Sequence, residues 1–180
     1  METSDLLDSA RVGFAGIDVA PSTQERALSH LEMWLNDPRF LPYHAQIMAL
    51  AESNHWVTLL DSFYRVLPFG TGGRRGRVGI GPNRFNPWTL STSVEGHARW
   101  LKTSQNQGPL SVVIGYDVRR FTDFSESLVP EVPSPVTGVS SRDFAEIAAE
   151  IYAAHEITVF MPQSADVLST PELSFAVRDL

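Results

Sequence analysis

Cysteine is absent from all 180 residues. That removes disulfides, thiol nucleophiles and Cys-based zinc sites in one step. It fits a reducing compartment, and a cytoplasmic location is the expectation. No apolar stretch approaches the ~20 residues that a membrane-spanning helix needs. The uncharged run 41–51 is short and carries His44 and Gln46. The acidic start, Met1-Glu-Thr-Ser-Asp5, lacks the cationic and apolar regions of a signal peptide. Positive charge is in deficit. Lys and Arg number 14 against 21 Asp and Glu, for a net charge of −7 and an isoelectric point near 5.1. Neither nucleic acid nor a membrane is therefore an expected partner.

Familiar catalytic and metal-binding patterns are missing too. The histidines, at 30, 44, 55, 97 and 155, include no pair at metal-ligand spacing. There is no Gly-x-Ser-x-Gly nucleophile elbow, and no dense Asp/Glu cluster offers a magnesium site. Internal repeats and low-complexity tracts are lacking as well.

What is present suffices for a folded core. Hydrophobic residues make up 43% and charged residues 19% of the chain. A chain of this size buries roughly 70% of its unfolded surface, so one domain, or one domain with an accessory segment, is expected. The first twenty residues, mixed and Gly-containing, read as loosely held. Pro21-Ser22-Thr23 reads as a helix start with Ser22 or Thr23 as N-cap. Leu28, Leu31 and Leu35 follow at helical spacing, and Asn36-Asp37-Pro38 stops the run. Further helices are expected over 42–53, with Ile47, Leu50 and Ala51 on one face, and over 55–64. Residues 1–65 thus read as an all-helical N-terminal extension.

The texture changes at Pro68. Phe69-Gly-Thr-Gly-Gly-Arg-Arg-Gly76 holds four glycines in eight residues and reads as a loop with unusual backbone angles. A short strand is expected over 77–81, and a helix over 89–102 with Leu90, Val94, Ala98 and Leu101 in its stripe. The β-branched run 110–116 reads as a buried parallel strand. Pro130, Pro133 and Pro135 punctuate a loop. Ser141 is the expected cap of a helix striped by Phe144, Ile147, Ala148 and Ile151. A strand follows over 156–161, and then a helix with Thr170 as cap and Pro171 as its first residue. This alternation predicts an α/β fold with a mixed, mostly parallel sheet in α/β/α layering. Ligand loops are expected at the carboxyl ends of its strands, at 117–121 and 162–169.

Three clusters carry chemistry. In the glycine loop, backbone N–H groups beside Arg74 and Arg75 can receive an anion. The alternative is a tight turn with solvated arginines. The loop is neither a Walker loop nor a dinucleotide fingerprint, since it lacks the Lys-Ser/Thr of one and the third glycine of the other. Asp117 and Arg119 either touch an anion or form an ion pair that holds their loop. In Asn83-Arg84-Phe85-Asn86, Arg84 either lines a phosphate pocket or serves structure, while Asn83 and Asn86 are natural turn and cap residues. Trp34, Trp56, Trp88 and Trp100 read as packing residues.

These motifs resemble a known family. Phe69-Gly-Thr-Gly-Gly-Arg-Arg-Gly76 followed by Gly81-Pro-Asn-Arg-Phe-Asn86 is similar to the start of the α-D-phosphohexomutases, the phosphoglucomutase and phosphomannomutase enzymes, in the branch with a helical leader. Val112-Val-Ile-Gly-Tyr-Asp-Val-Arg119, Ser140-Ser-Arg-Asp-Phe-Ala-Glu-Ile-Ala-Ala-Glu150 and Ser169-Thr-Pro-Glu-Leu-Ser-Phe-Ala-Val-Arg178 resemble further blocks of the family's first domain, in order. The resemblance implies that residues 66–180 are an incomplete domain I. It implies isomerase chemistry in which a phosphoserine transfers a phosphoryl group between C1 and C6 of a hexose phosphate, with Mg2+ in the full-length family. It also implies phosphate-binding roles for Thr71, Gly73, Arg75 and, more loosely, Arg119, and makes Arg74 an ordinary surface charge. The family's Thr-Ala-Ser-His-Asn-Pro, Asp-Gly-Asp-x-Asp-Arg and Gly-Glu-Glu-Ser-Gly motifs are absent, so no catalytic residue and no metal ligand is assigned here. The expectation is an inactive fragment that binds hexose phosphate weakly or not at all. Its expected partner is the remainder of the enzyme, or a second copy through an open sheet edge. The alternative is a sugar-phosphate-binding, regulatory or interaction module that reuses the fold.

Overall fold

The computed structural model describes residues 2–104, 108–162 and 167–180. They divide into two compact units, one formed by the residues up to Thr89 with Thr122–Thr137, the other by Leu90–Phe121 with Gly138–Leu180.

The first unit is mainly helical. Its helices are α1 (Thr3–Ala15), α2 (Pro21–Asn36), α3 (Leu41–Glu52) and α4 (Trp56–Phe63), with a 3-10 turn at Pro38–Phe40. The N-terminal stretch is not loose, contrary to expectation. Leu6, Ala10 and Phe14 recur every four residues, and all three are buried in α1. Helix α2 begins at Pro21 itself, with Ala20 in the cap position and no side-chain cap. Proline's fixed φ suits the first helical residue, so Ser22 and Thr23 fall inside the helix. Leu31 and Leu35 are buried, as are Ile47, Leu50 and Ala51 of α3.

The core centres on Trp34. Phe40 stacks on it at 4.2 Å, and Tyr43, Phe63 and Trp88 surround it at 4.9, 5.5 and 5.8 Å between ring centroids. Burial in this apolar setting pushes the Tyr43 hydroxyl up to about 12. Two histidines tie backbone to the same core. The ring of His30 bonds the Phe63 carbonyl at 2.6 Å, and that of His44 bonds the Trp34 carbonyl at 2.9 Å.

The glycine loop belongs to this unit. It folds as a two-residue antiparallel hairpin, β1 (Phe69–Gly70) against β2 (Gly73–Arg74). The strand expected over 77–81 does not form. Val78 makes only an isolated bridge with Phe85, because the backbone bends at Gly81 with φ +97°.

The second unit has the α/β texture. It holds most of α5 (Pro87–Ser104), then β3 (Ser111–Val113), α6 (Ser141–Ala154), β4 (Thr158–Phe160) and α7 (Thr170–Asp179). Strands β3 and β4 pair in parallel, Val112 opposite Val159, as a crossover through α6 requires. Val94, Ala98, Ala148, Tyr152 and Ile157 form the small core. Both caps sit one residue earlier than expected. Ser140 and Asp143 form a capping box at α6, and Ser169 and Glu172 form another at α7. In each case the first of two adjacent hydroxyl residues is three positions before the acid, which the reciprocal bond needs. Trp100 is not a packing residue. It is 55% exposed and stacks on His97 at 5.8 Å.

Candidate functional site

The hairpin turns through Thr71 and Gly72, and Gly70 faces Gly73 across it. Gly73 has φ +100°, a left-handed conformation that a side chain would strain. Thr71, Gly72 and Arg75 are exposed, so a hydroxyl, turn amides and a guanidinium lie within five consecutive residues. Arg75 forms no ion pair among the described residues. The segment 66–89 contains Arg74, Arg75, Arg77 and Arg84 and no acidic residue. Arg75 and Arg77 are exposed there, so positive charge is concentrated beside the turn in a chain that is acidic as a whole.

Arg74 departs from the expected surface charge. It is half-buried and donates from Nη1 to the Thr89 carbonyl at 3.0 Å. Burial pushes its pKa down. Its role is to anchor the hairpin to the start of α5, which leaves Arg75 as the outward-facing member of the pair.

A dense polar scaffold supports the hairpin from the segment behind it. Asn86 Nδ2 donates to the Gly79 and Gly81 carbonyls at 2.9 Å each. Its Oδ1 accepts from Thr89 N at 3.0 Å, and Thr89 Oγ1 accepts in return from Asn86 N at 3.0 Å. Asn83 donates to the Asp61 carbonyl at 2.7 Å and accepts from Arg65 at 3.0 Å. Arg84 is 3% exposed, pairs with Asp61 at 2.6 Å and lies over the Phe124 ring at 5.2 Å. The structural reading of 83–86 therefore holds, and Arg84 is a scaffold cation.

Sequence reasoning missed one buried carboxylate. Asp123 is 1% exposed. Its Oδ1 accepts from Ser125 N at 2.9 Å and Ser125 Oγ at 2.6 Å. Its Oδ2 accepts from Ser134 Oγ at 2.8 Å and Gln46 Nε2 at 3.2 Å. This knot fastens segment 122–137 to α3. Nothing local signals it, since Gln46 and Asp123 are 77 positions apart.

Arg119 lies in the other compact unit. Its Nε donates to Asp117 Oδ2 at 2.6 Å, and its backbone N–H donates to Oδ1 at 3.0 Å. Ser141 Oγ also donates to Asp117. These bonds, Arg119's first and Ser141's next, hold the Asp117 carboxyl well below the usual carboxylate range. Asp117 and Arg119 are an ion pair that holds their loop. The other expected ligand loop, 162–169, falls partly outside the described residues. Among those described, no group of three or more His, Asp or Glu side chains could hold a metal ion, and no helix is long and apolar enough to cross a membrane.

Comparison with known proteins bears on this arrangement. A phosphoglucomutase from Staphylococcus aureus strain bovine RF122 / ET3-1 is 38% identical over 129 residues, covering 72% of this chain and 19% of the relative. Phosphoglucomutases from strains USA300 and NCTC 8325 / PS 47 are each 37% identical over 120 residues, covering 67% of this chain and 18% of the relative. The chain thus spans about a fifth of the length of the relatives it matches. No family model matches, and no solved structure does.

Proposed function

Because the chain is kin to the phosphohexomutases, as a fragment resembling part of a phosphoglucomutase, we propose that it carries the phosphate-receiving part of such an enzyme and performs no turnover alone. In this reading residues 1–65 are a helical leader and 66–180 the opening of domain I. The complete enzyme moves a phosphoryl group between C1 and C6 of a hexose phosphate through a phosphoserine. The chain's own contribution is the hairpin, where the Thr71 hydroxyl and the Arg75 guanidinium donate to phosphate oxygens beside the turn that Gly73 closes. Such charge-assisted bonds to a fixed backbone are how phosphoryl groups are positioned and neutralised. The observation that carries the reading is the exposed, acid-free hairpin with Arg75 outside any ion pair among the described residues. Arg119 is the weaker member, because Asp117 already satisfies its guanidinium.

Magnesium, which the resemblance implies for the full-length family, finds no fitting donor set among the described residues. No step of this proposal runs through it.

The partner in this reading is the remaining polypeptide of a full-length enzyme, or a second copy. Two features support it. Strands β3 and β4 pair only with each other among the described residues, and α7 has no fully buried residue. A two-stranded sheet is marginal alone, and its free edges are templates for a further strand.

The test has two arms. The purified 180-residue chain should not interconvert glucose 1-phosphate and glucose 6-phosphate when supplied with magnesium and glucose 1,6-bisphosphate. Turnover above background removes the fragment reading. In the second arm, inorganic phosphate and glucose 1-phosphate are titrated while the amide resonances of 70–76 are followed by NMR. The hairpin should shift, and Arg75→Ala should weaken the effect about tenfold, the lower end for one charge-assisted bond. Unchanged binding in Arg75→Ala takes the hairpin out of the site. Binding without turnover that survives addition of the missing polypeptide would favour the sugar-phosphate-binding module instead.

A further inference from the structure

Far along the chain from the hairpin, α1, the end of α3 and the start of α4 border an open cavity of about 570 Å³. That volume is in the range of sites for small organic molecules. Its wall is aromatic, for a reason that sequence shows at one position. Gly13 lies in α1 against the Trp56 indole, and a Cβ there would overlap the ring. The absent side chain lets the helix backbone approach the indole face. The chain then turns sharply at Asn54, which adopts φ +58°, and this brings Glu52 and Trp56 to the same rim. Val12, 76% exposed, and Ala51 add apolar surface.

The polar part of the lining has one sign. Asp8 and Glu52 both border the cavity, and no lining residue carries a positive charge. Neither carboxylate has a hydrogen bond or ion pair among the described residues. Arg11, in the same turn of α1 as Asp8, pairs with neither. The surrounding segment 1–65 holds nine acidic residues against four arginines, so the field at this rim is negative. Trp56 is half-buried, and the part of its ring that α1 leaves at the cavity lining attracts cations through its quadrupole. Two unpaired carboxylates add Coulomb attraction, and the apolar wall favours an alkyl stem.

We infer that this cavity is a binding site for an aliphatic ammonium compound, with the alkyl chain against Val12, Ala51 and Trp56 and the ammonium groups at Asp8 and Glu52. The complementarity excludes the anionic ligand class of the hairpin, so the two sites take chemically opposite ligands. The inference does not depend on the phosphohexomutase reading.

The probe is pentane-1,5-diamine, titrated into the full chain while the Trp56 indole N–H resonance is followed, its assignment fixed by Trp56→Phe. A saturable shift at millimolar diamine is expected, with most of it lost in about 0.5 M salt as screening shortens the electrostatic range to a few Å. The double variant Asp8→Asn, Glu52→Gln should bind about tenfold more weakly, roughly threefold for each exposed charge pair. Both positions are exposed, and an otherwise unchanged spectrum verifies the fold. No saturable shift up to tens of millimolar, an equal response to neutral pentan-1-ol, or undiminished binding in the double variant each overturns the inference.

Discussion

The two compact units solve the packing problem differently. The first gathers eighteen buried residues around one aromatic cluster and backs it with the Asp123 knot. Among the described residues the second has five buried residues in its core, two three-residue strands and, in α7, a helix with no fully buried residue. Apolar burial stabilises by roughly 25 cal/mol per Å², so the first unit draws more stability from its core than the second. The difference also separates the two arginines of interest. Arg75 projects from the well-fastened unit, whereas Arg119 belongs to the sparse one and is already neutralised.

The sharpest test strikes the aromatic cluster. Trp34→Ala should cost about 4 kcal/mol, the usual loss for a large aromatic in a close-packed core, read from the urea midpoint followed by circular dichroism. A loss below about 1 kcal/mol would mean that the cluster is not the organising centre. Asp123→Ala should cost about 3 kcal/mol, because it strands the buried donors of Gln46, Ser125 and Ser134. A milder result would show that segment 122–137 relaxes to meet solvent. Phe175→Ser on α7 should cost less than about 0.5 kcal/mol, since the ring is 68% exposed. Amide exchange in α7 should be fast while α2 and α3 exchange only through global opening. Protection in α7 equal to that in α3 would break the comparison.

The smallest effect is a pH dependence at Asp117 in the second unit. The folded-state pKa of Asp117 is depressed below its ordinary value of 3.8. Its contribution is therefore fully present above the unfolded value and is lost as pH falls toward the folded one. Acidification below about pH 4 should loosen the Ser141 amide, which bonds the Arg119 carbonyl at 2.9 Å. Asp117→Asn should show that looseness at neutral pH and lose the dependence. An Asp117→Asn spectrum matching the parent at neutral pH would remove the ion pair from any structural role.

Local patterns were legible in the sequence where a single periodicity or stop governed them. Leu31 and Leu35, the Asn36-Asp37-Pro38 stop and the β-branched run before Asp117 all led to the right element. Helix α1 was readable too, from Leu6, Ala10 and Phe14. Gly13 and Gly16 suggested a loose chain instead, although Gly13 is there to admit an indole. The strand expected over 77–81 failed because β-branched character at Val78 and Ile80 counts for little between bends. At the candidate site, the proposed anion-loop chemistry rests on Gly and Arg content. The division of labour between Arg74 and Arg75 could not, because it depends on a carbonyl fifteen positions away. Asp123 was invisible for the same reason over a longer span.

The Asp123 knot also constrains the order of events at the ribosome. Its ligands come from position 46 and from positions 123–134, with the Leu90–Phe121 part of the other unit emerging in between. During synthesis the nascent helices can pair early, but they cannot lock until Ser134 has cleared the exit tunnel. For that interval Gln46 is without its carboxylate partner.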